Sequence, residues 1–140
     1  MKEKLMKLNE LVQRRHKSII REVSDLKFSK FLDWLPSSLD EKVYKEFQEL
    51  YKIANGFEFN SLIIYSLDDE EKSNIYDMNN VWHENDDLKY LIFFGDSDIS
   101  WYCYDLNNDL FCELDKPSGT LMETYKSFSE LISTLLDSIM

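Results

Sequence analysis

The sequence predicts an α+β fold, a five-stranded, mostly antiparallel β-meander packed against N-terminal and C-terminal helices. Three observations lead there. Apolar residues recur at helical spacing in residues 3–26, in 37–56 and from Phe128 to the C-terminus. Before that last helix, short aromatic and β-branched runs alternate with Asn, Asp, Gly and Pro at hairpin spacing. The 140 residues, 44% hydrophobic and 14% aromatic, are enough for one domain with its own core.

Residues 1–30 read as an N-terminal helical region, with Leu5, Leu8, Val12, Ile19, Val23 and Leu26 forming a partial stripe over 3–26. Arg14, Arg15, His16 and Lys17 interrupt it with a basic patch. Such a patch is either a solvated helix face or a contact for an anion; its shortness in an acidic chain favours the first. Residues 27–35, KFSKFLDWL, read as a connector whose Phe28, Phe31, Leu32 and Trp34 tuck under the sheet edge or between helices. Residues 37–56 form the best-marked helix. Pro36 stops what precedes it, Asp40 or one of Ser37 and Ser38 caps it, and Asn55-Gly56 ends it. Its apolar stripe is Val43, Phe47, Leu50 and Ala54, widened by Tyr44 and Tyr51.

Residues 57–126 carry the sheet. Ser61–Leu67 is the first strand, with Phe57 and Phe59 extending it backward. The acids Asp68-Asp69-Glu70-Glu71 lack the alternating ligands and glycine of a calcium loop, and read as a solvated loop or helix start. Residues 74–85 read as a short helix or an irregular crossover. The runs Tyr90–Phe94, Ile99–Asp105, Leu110–Leu114 and Leu121–Tyr125 follow, separated by Gly95-Asp96-Ser97, Asn107-Asn108 and Lys116–Gly119.

Turn geometry then assigns faces. A two-residue turn at Asn107-Asn108, both at positive φ, sets Cys103 opposite Cys112; if Leu106 or Asp109 joins the loop, a one-residue slip sends one cysteine to the opposite face. A turn centred on Asp96-Ser97 sets Ile92 opposite Trp101, and a four-residue loop at 116–119 sets Leu114 opposite Leu121. One face then holds Ile92, Phe94, Trp101, Cys103, Leu110, Cys112, Leu114 and Leu121, and reads as the core. The other holds Phe93, Tyr102, Tyr104, Phe111, Met122, Glu113 and Thr124, and needs a cover from this chain or from a partner. Residues 127–140 form the last helix, opened by the capping box Ser127-x-x-Glu130, with Phe128, Leu131, Ile132, Leu135 and Ile139 on its stripe.

The net charge is −11 and unevenly placed. Residues 1–60 carry 12 Lys and Arg against 10 Asp and Glu, a net of +2; residues 61–140 carry 4 against 17, a net of −13. Direct nucleic-acid binding does not fit this balance, because phosphate neutralisation needs a basic surface. An acidic surface keeps a chain in solution or steers a basic partner. Lys2 charges the N-terminus and no apolar run approaches spanning length, so a cytoplasmic protein without membrane contact is expected, its two thiols reduced. No catalytic role is expected: His16 and His83 lie in unlike segments away from any nucleophile motif, and three glycines leave no phosphate-cradling loop. Neither a cofactor nor a metal is expected, since no CxxC or paired-histidine spacing occurs.

The order Leu35-Pro36, an aromatic-rich helix, Asn55-Gly56, Gly95-Asp96, Asp105 and Ser127-Phe128 resembles the SUKH superfamily. The resemblance covers roughly residues 33–139. The family includes bacterial immunity proteins of polymorphic toxin systems and the yeast regulators of cell-wall glucan synthesis. It implies a single SUKH-like domain over 1–140 that binds and neutralises a cognate toxin, plausibly a nuclease and therefore basic; the alternative is an intracellular regulatory adaptor of the cell-wall-linked branch. For the interface, aromatic and acidic side chains of the β-half are the candidates: Trp82, Asp86, Asp87, Asp96, Asp98, Tyr102, Tyr104 and Asp105. Trp101 reads as core.

Overall fold

The computed structural model describes residues 1–13 and 19–140. Among these, five α-helices surround one antiparallel sheet of six strands that follow one another in chain order. The helices are α1 (Lys2–Gln13), α2 (Asp25–Trp34), α3 (Glu41–Tyr51), α4 (Ile75–Trp82) and α5 (Phe128–Ile139). The strands are β1 (Phe57–Phe59), β2 (Leu62–Ile64), β3 (Leu91–Asp96), β4 (Ser100–Asp105), β5 (Leu110–Asp115) and β6 (Leu121–Tyr125).

The α+β class holds, with one more strand than expected. The run 57–67 is not one strand but a hairpin. Asn60 and Ser61 both take positive φ, 47° and 70°, and turn the chain so that Phe57 faces Ile64. The mirror-image turn expected at Asn107-Asn108 is thus found at Asn60-Ser61, where a serine in place of glycine hides the signal.

The N-terminal region is two helices rather than one. The Asn9 Oδ1 accepts the Ile19 N–H at 2.9 Å, and residues 19–24 are not helical. Ser24 starts α2, its Oγ accepting the Lys27 N–H at 3.2 Å. The expected connector is therefore helical, because Ser24-Asp25 caps and charges a new N-terminus just ahead of Phe28, Phe31 and Leu32. Pro36 ends it. The basic patch at 14–17 lies outside the described residues.

In α3 the stripe buries Val43, Phe47, Leu50 and Tyr51 as expected, and Asp40 is the cap, accepting the Lys42 N–H at 3.0 Å. The helix stops at Tyr51, ahead of Asn55-Gly56. Those two residues serve the sheet instead. The Asn55 Oδ1 accepts the Leu67 N–H at 2.7 Å, and Gly56 sits at φ 74° where a Cβ would lie 2.6 Å from the Ile64 carbonyl oxygen.

Both faces of β3 and β4 are covered by this chain, while β6 is exposed from Leu121 to Thr124. Phe47 of α3 and Phe128 of α5 close on Phe94 and Phe111 with ring centroids 4.8–6.2 Å apart. Phe31 of α2 meets Phe47 edge-on at 5.7 Å. Across α5 lies α1, tied by the Lys4–Asp137 ion pair at 2.7 Å. On the opposite face α4 sets Trp82 against Phe93 and Trp101 at 6.3 and 5.4 Å. The face taken as needing a cover is thus half of the principal core.

The β4–β5 register is as expected, with Cys103 opposite Cys112 and Trp101 opposite Leu114. The loop is four residues, 106–109, and positive φ falls on Asp109 (53°) rather than on the asparagines. Adding one residue at each end leaves every pair unchanged. Elsewhere bulges reverse the assigned faces. Gly95 and Asp96, expected in the turn, belong to β3, and Asp96 faces Trp101. Past a bulge at Phe94, Phe93 pairs with Cys103 and Ile92 with Tyr104. Phe93, not Ile92 or Phe94, therefore shares the face of Trp101. In β6 the Leu114–Leu121 pair is as expected, but Met122 is bulged, so Glu123 and Tyr125 align with Glu113 and Phe111 where Met122 and Thr124 were expected.

Candidate functional site

Half of the expected interface residues have no surface to offer. Asp96, Asp105, Tyr102 and Tyr104 are 6%, 9%, 6% and 3% exposed, a correction to their reading as contact residues. Each is occupied within the chain. Asp105 accepts the N–H groups of Asn107 and Asn108 at 2.8 and 3.1 Å and the Asn108 side-chain amide at 2.9 Å, so it organises the hairpin loop. Asp96 accepts the Tyr65 hydroxyl and lies 3.6 Å from the Lys116 amine. Tyr104 packs on Phe111, and burial beside Asp109 pushes its hydroxyl up to about 12.

Trp82 is half-buried. Its Nε1–H donates to the Tyr65 hydroxyl at 3.0 Å, and the Lys116 amine stands 5.1 Å above its ring. Trp82, Tyr65, Asp96 and Lys116 thus form one linked network beside α4. Burial first, then the Asp96 carboxylate, drive the Tyr65 hydroxyl far above its ordinary range, so Tyr65 stays neutral.

Asp86, Asp87 and Asp98 are exposed. The first two form a single 3-10 turn before β3, where Asn85 caps and Lys89 pairs with Asp86 at 2.8 Å. Asp98 stands beyond the other end of β3. Six residues of strand separate them by roughly 17 Å. The structure therefore gathers Asp86 and Asp87 at the sheet end that carries the 106–109 loop, and leaves Asp98 at the opposite end with Ile99 and Lys116.

The acids of 68–71 have a separate role. Asp68, Asp69 and Glu71 bind Lys27, Lys30 and Arg21 at 2.7, 2.6 and 2.7 Å. The lysine hydrogen bonds hold the Asp68 and Asp69 carboxyls below their ordinary values. This clamp consumes basic charge of the N-terminal segment and leaves the acids of residues 84–130 less compensated. His83 donates Nε2–H to the Leu91 carbonyl at 2.7 Å against Phe93, a structural role. Among the described residues no three His, Cys, Asp or Glu side chains gather as a metal site, and no helix is long and apolar enough to cross a membrane.

Two grooves flank Tyr125. One, of about 840 Å³, runs between the starts of α3 and α5 and past Tyr104 and Asp109. There Glu46 accepts the Phe128 N–H at 3.2 Å, and burial pushes its carboxyl up. The other, of about 530 Å³, lies between the β3–β4 turn and the end of α5 and includes Asp98, Tyr102 and Glu113. Glu113, Glu123 and Tyr125 were not singled out as contacts in the sequence; alternation alone set Glu113 beside Tyr102, and the β6 bulge concealed the other two. No family model matches the chain. No curated protein matches it either.

Proposed function

We propose that this chain is an immunity-type protein that captures and blocks a basic protein toxin, a nuclease being the class whose own substrate demands that charge. The observation that carries the reading is the acidic excess of residues 84–130, with Asp86, Asp87 and Asp98 exposed while Arg21, Lys27 and Lys30 are engaged by Glu71, Asp68 and Asp69. The resemblance of Leu35-Pro36, Asn55-Gly56, Gly95-Asp96 and Ser127-Phe128 to the SUKH superfamily supports it. In this reading the chain acts in the cytoplasm by occlusion and performs no chemistry of its own.

The test begins with the reading frame beside this one. If that frame encodes a toxin, its product and this chain are mixed by stopped flow at several salt concentrations. Asp86→Lys, Asp87→Lys and Asp98→Lys should each slow association, together by about tenfold, and flatten its salt dependence. Unchanged association across all three variants would sink the steering idea. A neighbour without toxic activity, with cell-wall regulators captured from the native cell instead, would favour the adaptor reading.

A further inference from the structure

The groove at the end of α5 contains an arrangement that the fold alone does not account for. Tyr102 on β4, Glu113 on β5 and Glu123 on β6 form one row across the sheet, because Tyr102 pairs with Glu113 and Glu113 with Glu123. Directly opposed like charges destabilise a ladder. Among the described residues neither glutamate has an ion-pair partner, and the groove lining includes Asp98 and Glu113 but no lysine or arginine. Glu113 accepts the Ser100 hydroxyl at 2.7 Å and stands beside the Tyr125 hydroxyl. Lys116 is turned to the other face, its amine on the Ser97 carbonyl at 3.3 Å, near Asp96 and over Trp82. Tyr125 lines the groove from β6, and burial, then Glu113 and Glu123, push its hydroxyl up to about 12, so it stays neutral. Leu135 and Ile139 of α5 supply apolar wall.

Carboxylates beside a tyrosine ring and aliphatic wall, with no internal cation, match one side-chain chemistry. A guanidinium takes a carboxylate through paired N–H donors, lies against aromatic faces and lays its methylenes on apolar surface. The geometry points to this groove as the socket for an arginine side chain of the protein partner, held by Glu113 and Asp98 against the Tyr125 ring. The inference rests on the proposed capture of a basic partner and names where its anchoring residue enters.

The test is a titration of the ¹⁵N-labelled chain with acetyl-arginine amide and, separately, with its neutral isostere acetyl-citrulline amide. Acetyl-arginine amide should give saturable shifts centred on Ser100, Tyr102, Glu113 and Tyr125, and acetyl-citrulline amide should not. Glu113→Gln should weaken the arginine probe by about tenfold. Its urea midpoint should match or exceed that of the parent, since glutamine still accepts the Ser100 hydroxyl and removes one of two opposed charges. Should Glu113→Gln fail to fold, Asp98→Asn in the exposed turn replaces it, with weakening again expected. Equal binding of both probes, shifts spread evenly to residues 86–87, or an affinity indifferent to these substitutions overturns the socket. A toxin whose capture depends on Asp86 and Asp87 but not on Glu113 would also overturn it, while leaving the proposed function in place.

Discussion

Asn79 is a buried helix residue whose side chain acts as a piece of β-strand, and its removal should be among the most costly single changes in the protein. Its Oδ1 accepts the Phe93 N–H at 2.8 Å, while its Nδ2 donates to the Phe93 and Ile75 carbonyls at 2.7 and 2.6 Å. Phe93 is fully buried, next to the β3 bulge. Asn79→Ala leaves the Phe93 N–H and C=O without partners in a dry interior. At about 1–3 kcal/mol for each unsatisfied group, the loss is about 2–6 kcal/mol, a large part of the about 5–15 kcal/mol that holds a domain together. Asn80→Ala, one residue along and exposed, should cost less than about 0.5 kcal/mol. Asn79→Asp separates the two halves of the amide. Its carboxylate still accepts the Phe93 N–H but confronts two carbonyl oxygens, so burial should raise its folded pKa above the unfolded value near 3.9. An acid with a raised folded pKa stabilises below the unfolded pKa and loses that contribution as pH rises, so this variant should fall furthest behind the parent at neutral pH. Urea unfolding at pH 4 and pH 7 measures this, and hydrogen exchange at the Phe93 amide reports the site itself. A loss under 1 kcal/mol for Asn79→Ala, with the Phe93 amide still protected, would refute the reasoning.

Phe47→Ala removes a ring that packs on Phe31, Phe94, Phe111 and Phe128, and should cost about 3–5 kcal/mol in urea unfolding. The Asp68–Lys27 clamp should depend on pH from both sides. The Asp68 carboxyl is held low, so its contribution is present above the unfolded value and lost as pH falls; the Lys27 amine is raised by its hydrogen bond to Asp68, so its contribution disappears as pH rises past the lysine range. Exchange protection in α2 should therefore fall below about pH 4 and above about pH 10, and Asp68→Asn should abolish both limbs. Cys103 and Cys112 should resist a thiol reagent in the native state and react in urea, because burial drives the Cys103 thiol well up and the Cys112 thiol up to about 12. Rapid native labelling of either would show that this face opens.

Much of the fold was legible because local chemistry specifies it. The stripe of α3 and the Ser127 cap of α5 each state their own ends and buried face. The Cys103–Cys112 register was legible for a sturdier reason: the loop grew by one residue at each end, and a symmetric change does not move a ladder.

What the sequence determined by itself was the class, the two best-capped helices, one hairpin register and the uneven charge. Only the tertiary structure decided which strand residues share a face, because one bulged residue reverses a two-residue period. Phe93 joins Trp101 beyond a bulge, where Asn79 from a separate helix satisfies its backbone, and no local signal at Phe93 announces that partner. Distance in the chain also hid the fate of the acids. Asp68 and Asp69 look identical in kind to Asp86 and Asp87, yet α2 brings lysines to the first pair from about forty residues away. Asp96 is buried through a tyrosine and a lysine that meet it only in the folded chain. Charge is a property of composition; whether a charge is free to meet a partner is a property of packing.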